Sequence, residues 1–278
     1  MKKQGFINER KEKNMQKNNH EHTAALYFDG LTNFRDFGGY ATTDGKRVRK
    51  GILFRSDELS KLSRADMARM NQIGLKLICD LRTETEQKSN KSRMLNQGVE
   101  VKNLAMQDKS QEFTRLEFIR YLIRHGKDID FEQTMKDMYD HMGTGSKSTL
   151  QKLFTLLSEK EKFPVLIHCT GGKDRTGFIV AIIQLFLGIP YESVLEDYLH
   201  SNICIGPRMK KAEKMIRLMS FYRVPAERIR PMLEVKRDYL EDVLQGIMSR
   251  HANIEGYLKN ECGVSQQHLE RSKELALE

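Results

Sequence analysis

One junction constrains this chain more than any other stretch. Residues 164–168, PVLIH, form a continuous apolar run of strand length, and residues 178–187, FIVAIIQLFL, read as a helix apolar on nearly every side. Between them lie Cys169, Thr170, Gly171, Gly172, Lys173, Asp174, Arg175, Thr176 and Gly177. A strand apolar at successive positions is buried on both faces, as in a parallel sheet covered by helices. A helix that starts straight after such a strand turns its unsatisfied N–H groups toward the connecting loop. The chain thus sets a cysteine, glycines and charges at the joint of two core elements.

The rest of the sequence repeats the alternation. Residues 51–56 (GILFRS) and 75–80 (LKLICD) read as further strands, the second ending on Asp80. Ser63 to Asp66 has the form of a helix-start box and Gly74 suits a helix end, so a helix is predicted between them. Thr83 and Glu86 form a second capping box, for a polar helix expected to run to about Asn96. Asp44-Gly45 is a hairpin signal, and NFRDFGGY at 33–40 reads as turn and strand that, with Arg55, supports a site without reacting in it. Residues 113–144 are expected to be helical and unusually charged, either an insertion or lid carrying Asp128 and Asp130 or an ordinary amphipathic pair. After a helix over 176–188, stopped by Gly188-Ile189-Pro190, four more are expected near 191–202, 208–222, 226–249 and 251–275. The fold class is α/β: a parallel β-sheet flanked by helices, with a helical insertion and an α-helical C-terminal part. Residues 1–24 are expected to be a disordered basic tail, and 25–278 a single domain.

The longest apolar run spans ten residues, far short of the roughly 20 a membrane helix needs. The charged N-terminus lacks the apolar core of a standard secretory signal, so the cytoplasm is the default, with export left open. Cys79, Cys169, Cys204 and Cys262 have no metal-ligand spacing and are too few for a disulfide framework. Of the net charge of +9, residues 206–237 carry ten Lys/Arg against three Glu. Such a stretch attracts anionic partners or forms a solvated helix face; Met209, Met215, Ile216, Met219 and Tyr222, at helical spacing within it, would face a lipid surface or the core.

The loop at 169–177 has the composition of an anion cradle. Gly171 and Gly172 let amides turn inward, and the Arg175 fork fits two phosphate oxygens. A cysteine beside an arginine and a helix N-terminus is expected to titrate at about 3.5–7.5, and its thiolate is a nucleophile. A Walker-type loop is excluded because Asp174 follows Lys173, and a zinc site lacks a second ligand pair. The chemistry that fits is attack on the phosphorus of a monoester, with no metal and no cofactor.

Cys169 to Arg175 is the Cys-x5-Arg signature of the cysteine-dependent phosphatases. Together with NFRDFGGY at 33–40, LFRSDELSKLS at 53–63 and LICDLRTETE at 77–86, it resembles the atypical bacterial tyrosine-phosphatase family typified by protein tyrosine phosphatase B. The resemblance covers about residues 27–260. It implies a parallel sheet of four or five strands with extra helices over the site, and activity on phosphotyrosine, phosphoinositides and other phosphomonoesters.

In this reading Cys169 is the nucleophile and Arg175, with Thr170, Gly171, Gly172 and Lys173, binds the phosphoryl oxygens. Thr176 is expected to bond the sulfur, and His168 either fixes the loop or fills the core. Lys173 either adds a cation over the pocket, favouring polyanionic substrates, or pairs with a carboxylate. A leaving oxygen needs a proton, yet the chain has no Trp and no Pro-Asp pair. The acid is Asp174, as the Lys-Asp-Arg subfamily implies, or Asp80; Asp80 would otherwise brace the loop through Arg82. Cys79 would form a disulfide with Cys169 under oxidation or be a core residue. Partners are phosphorylated proteins or phosphoinositides as substrates, with weak anionic-membrane contact considered, no nucleic acid, and a monomeric state. A sulfurtransferase would not need Arg175-Thr176-Gly177, and a dead phosphate binder would not keep both Cys169 and Arg175.

Overall fold

Three four-residue strands buried at every position set the layers of this fold. The computed structural model describes residues 27–93, 98–106, 117, 120, 121, 124, 129–222 and 224–278. The sheet consists of β1 (Arg35–Asp36), β2 (Leu53–Ser56), β3 (Leu77–Asp80), β4 (Glu100–Asn103) and β5 (Val165–His168). Their spatial order is β1-β2-β5-β3-β4, with β1 antiparallel and the other pairs parallel. Successive side chains of a strand face opposite sides. Leu53, Leu77, Cys79, Val165 and Ile167 enter the larger core, while Phe54, Ile78 and Leu166 enter the smaller one.

Helix α1 (Arg64–Ile73) covers the smaller core through Met67 and Met70. Its limits are local chemistry: Ser63 and Asp66 form the capping box, and Gly74 ends it at φ 71°. Helix α2 (Glu84–Ser89) opens on the Thr83–Glu86 capping box. It is shorter than expected, because Arg82 takes the Asn90 carbonyl at 2.8 Å and the Ser92 hydroxyl at 2.8 Å and draws the chain out of the helix.

On the other face lie α3 (Phe131–Gly145), α4 (Lys147–Leu157), α5 (Asp174–Phe186), α6 (Tyr191–Met219), α7 (Ala226–Leu233), α8 (Arg237–His251), α9 (Ile254–Asn260) and α10 (Gln266–Ala276). The two helices expected at 191–202 and 208–222 are one. Pro207 removes a single backbone donor from α6, a loss of about 3 kcal/mol. The helix continues because Ile205 is buried and Arg208 is anchored to Asp57 and Glu58 at 2.9 and 3.2 Å. The tail at 1–24 lies outside the described residues, as does most of 107–128, including Asp128. Asp130 is the N-cap of α3, its carboxylate accepting from the amides of Glu132 and Gln133. No helix among the described residues is long and apolar enough to cross a membrane.

Candidate active site

Ser56, Asp80 and His168 end β2, β3 and β5 in one register. The loop 169–173 therefore leaves the carboxyl edge of the central strand, where ligands bind in open parallel sheets, and runs into the N-terminus of α5. Only one of its two glycines is obligatory. Gly172 stands at φ 65°, and a Cβ there would lie 2.5 Å from the Ser56 carbonyl oxygen; a Cβ on Gly171 would meet nothing closer than 3.5 Å.

The loop's carbonyls are anchored outward, and that turns its amides inward. Gly172 O accepts from Arg55 Nη2 at 2.9 Å and Asn33 Nδ2 at 2.8 Å. Thr170 O accepts from the Glu58 amide at 3.3 Å, and His168 Nδ1 lies 3.3 Å from Cys169 O. In a trans peptide the N–H points opposite to the carbonyl, so the amides of Lys173, Gly171 and Thr170 face the concave side. None of these three donates to a protein group among the described residues. Gly172 N instead donates to Cys169 Sγ at 3.3 Å.

A buried ion cluster holds the anchors. Arg55 Nη1 and Arg35 Nε each reach one Asp197 oxygen at 2.7 Å, and Arg35 also bonds Asn33 Oδ1. Burial opposes the Asp197 charge, yet the two arginines pull its pKa down to about 2. Burial and the neighbouring Arg35 lower Arg55 to about 10, against the support of Asp197. Arg35 and Asn33 belong to NFRDFGGY, so that motif holds the loop through Gly172, the supporting role expected of it.

Arg175, at the second position of α5, donates to both oxygens of Glu86, Nη1 to Oε2 at 2.6 Å and Nη2 to Oε1 at 2.7 Å. Thr170 Oγ1 donates to the same carboxylate at 2.5 Å. Burial pushes Glu86 up, but the Arg175 bonds, its charge and Thr170 bring it down to about 2. This grip leaves Arg175 Nε without an acceptor among the described residues. Glu86 is the partner that sequence reasoning missed: it was legible only as half of a capping box.

The two acid candidates sit in different settings. Both Asp80 oxygens accept from Arg82, at 2.7 to 3.1 Å, and His168 Nε2 is 3.7 Å away; the carboxylate is 5% exposed. That is the bracing alternative. Asp174 is 20% exposed at the loop's rim, with Oδ1 accepting from Tyr139 at 3.0 Å and Oδ2 lying 3.3 Å from Lys173 Nζ. Tyr139 and Tyr198 share a 2.6 Å hydroxyl contact, and burial first, then the Asp174 charge, holds both phenols well above their ordinary range. Lys173 also donates to Met232 O at 2.7 Å, so its ammonium is folded under α7 rather than extended over the cradle.

Three further expectations meet the geometry as follows. The Thr176 hydroxyl is buried with no hydrogen-bond partner and does not bond the sulfur; its helical position turns it into the core. His168 is buried, and burial lowers its pKa below 6.5 against the pull of Asp80. Cys79 is wholly buried in the larger core, where burial pushes its thiol up to about 12. The four cysteines are free thiols.

The profile described as the tyrosine phosphatase family matches residues 26–278. The triple specificity protein phosphatase PtpB of Mycobacterium tuberculosis is 28% identical over 89% of this chain and 97% of its own length. A putative tyrosine-protein phosphatase of Cupriavidus necator is 28% identical, covering 86% of this chain and 84% of itself. A tyrosine-protein phosphatase of Nostoc commune is 25% identical, covering 79% and 72%.

Proposed function

The chain belongs to the tyrosine phosphatase family, and on that premise we propose that residues 25–278 work as one domain that hydrolyses phosphotyrosine and other phosphomonoesters through a phosphocysteine. The observation that carries this reading is the grouping of the Cys169 sulfur, which accepts from Gly172 N, the undonated amides of Thr170, Gly171 and Lys173 and the Arg175 side chain at the carboxyl edge of β5.

In the first step Cys169 Sγ attacks phosphorus in line. An S–P bond forms as the ester P–O bond breaks, and Asp174 gives its proton to the leaving oxygen. Arg175 Nε and the loop amides hold the equatorial oxygens, where charge develops. In the second step water attacks the same phosphorus, its proton passes to Asp174, and the sulfur leaves with the electrons of the S–P bond. Glu86 positions Arg175, Tyr139 positions Asp174, and Asp80 braces the turn after β3 through Arg82.

The name of the Mycobacterium tuberculosis relative supports a range wider than phosphotyrosine. Phosphorylated proteins and phosphoinositides are the proposed substrate classes. Lys173 supplies no argument for polyanions, since its ammonium is already paired. The test is para-nitrophenyl phosphate turnover in EDTA by wild type and Cys169→Ser, with vanadate as inhibitor, followed by phosphopeptides and inositol lipids compared by kcat/KM. Activity abolished in Cys169→Ser supports the reading, and activity retained there overturns it.

A further inference from the structure

Helix α6 ends in a turn that stability alone does not account for. The amide of Phe221 donates to Leu218 O at 3.1 Å and that of Tyr222 to Arg217 O at 2.7 Å. This is the paired bonding of a Schellman cap, whose first residue past the helix end is left-handed and ordinarily glycine. Here the position is Phe221, at φ 52°, followed by Tyr222 at φ 58°. Two bulky residues stand in a region that L side chains avoid, and their rings are 77% and 65% exposed. Leu218 and Met219 beside them are 61% and 39% exposed. The base of the turn is packed, with Ser220 and Val224 buried and Ile216 packed against the cluster of Phe131, Val224 and Ile229. Its tip, Leu218, Met219, Phe221 and Tyr222, is exposed and belongs to no hydrophobic cluster among the described residues.

The charge on this end of α6 is mostly positive; its one acidic residue past Arg208, Glu213, lies 4.0 Å from Arg217. Lys210, Lys211 and Lys214 are exposed on α6 and enter no ion pair among the described residues. Lys210, Lys214 and Leu218 recur at helical spacing, so the lysines and the tip share a stripe. The Arg217 guanidinium lies 5.4 Å over the Tyr222 ring. Aromatic rings project from the end of a lysine-bearing face. That pairing suits the headgroup boundary of an anionic bilayer, where rings insert and lysines meet lipid phosphate and carboxylate. A second copy of this chain fits worse, because it would set the same positive segment against itself.

We propose that the turn at 218–222, with Lys210, Lys211 and Lys214, docks this protein on anionic phospholipid membranes. Phe221 and Tyr222 are the inserting side chains. Of the five apolar residues singled out in the basic segment, Met209, Met215 and Ile216 are partly covered, whereas Met219 and Tyr222 are exposed together with Leu218 and Phe221. The inference does not rest on the catalytic roles assigned above.

The test is sedimentation of the full chain with phosphatidylcholine vesicles, with and without phosphatidylserine. Wild type is expected to bind the phosphatidylserine vesicles and to be released by salt. Phe221→Gly with Tyr222→Asn places residues that accept the left-handed conformation, so the fold is kept and the melting temperature holds or rises. That variant is expected to lose roughly tenfold or more in partitioning, as is Lys210→Gln with Lys214→Gln. Both should turn over para-nitrophenyl phosphate as wild type does. Failure of wild type to bind, or binding unchanged in the aromatic variant, overturns the proposal. So does a dimer in light scattering that the same substitutions disperse.

Discussion

Arg175 and Glu86 face each other through two parallel hydrogen bonds of 2.6 and 2.7 Å, and the same carboxylate caps α2 through Thr83. One side chain thus starts a helix and aims the guanidinium of the loop. Replacing Glu86 by Gln keeps much of the cap but breaks the paired ionic grip. The expected outcome is a fall in kcat of about 10- to 100-fold, with a smaller change in melting temperature. Steady-state kinetics beside thermal unfolding checks it.

Glu86 also sets an acid limit. Its folded pKa of about 2 lies below the ordinary 4.5, so the unfolded chain binds the proton first. The stability it contributes is complete above pH 4.5 and is lost as pH falls toward 2. The magnitude is on the order of 3 kcal/mol at most, reduced by solvent because the carboxylate is 30% exposed. Asp197, lowered from 3.8 to about 2, acts in the same direction over the same window. Urea unfolding of wild type and Glu86→Gln between pH 5 and 2 should converge as pH falls, within roughly 1 kcal/mol.

Asp174 as the proton donor predicts a dependence on leaving group. Asp174→Asn should slow alkyl phosphates by about 100-fold or more and activated aryl phosphates far less. Tyr139→Phe removes only the hydroxyl that orients the carboxylate, so its loss should be smaller and follow the same order of substrates. Equal loss on every ester in either variant would contradict these roles.

Asp197 neutralises two arginines in the interior. Asp197→Asn leaves Arg55, wholly buried, beside Arg35 without a counter-charge, a loss expected at about 3–5 kcal/mol. Because Arg55 holds Gly172 O, activity should fall with stability. Chemical denaturation and turnover measured on one preparation would show both.

The two loop glycines should behave differently. Gly172→Ala forces a Cβ to 2.5 Å from Ser56 O at a φ of 65° and should abolish the cradle, lowering kcat/KM by roughly two orders of magnitude. Gly171→Ala meets only ordinary contacts and should stay within about tenfold of wild type.

Features decided by neighbours in sequence were legible in advance. Ser63, Asp66, Gly74, Thr83 and Glu86 fix helix ends through bonds spanning a few residues, and the strands showed as apolar runs because both faces are buried. The loop was legible because its chemistry sits on consecutive residues. What escaped depends on distant partners. Glu86 meets Arg175, Asp197 meets Arg35 and Arg55, and Tyr139 meets Asp174 only after the sheet and helices have packed. The helices expected separately at 191–202 and 208–222 are continuous, since the grip of Asp57 and Glu58 on Arg208 lies outside any local window.

The most direct test is to trap the enzyme during turnover of a phosphorus-labelled monoester and to locate the label by mass spectrometry. The account predicts one phosphoryl group on the sulfur of Cys169, absent from Cys169→Ser and longer-lived in Asp174→Asn, where the attacking water loses its base. Label on another residue, or full turnover by Cys169→Ser, would contradict it.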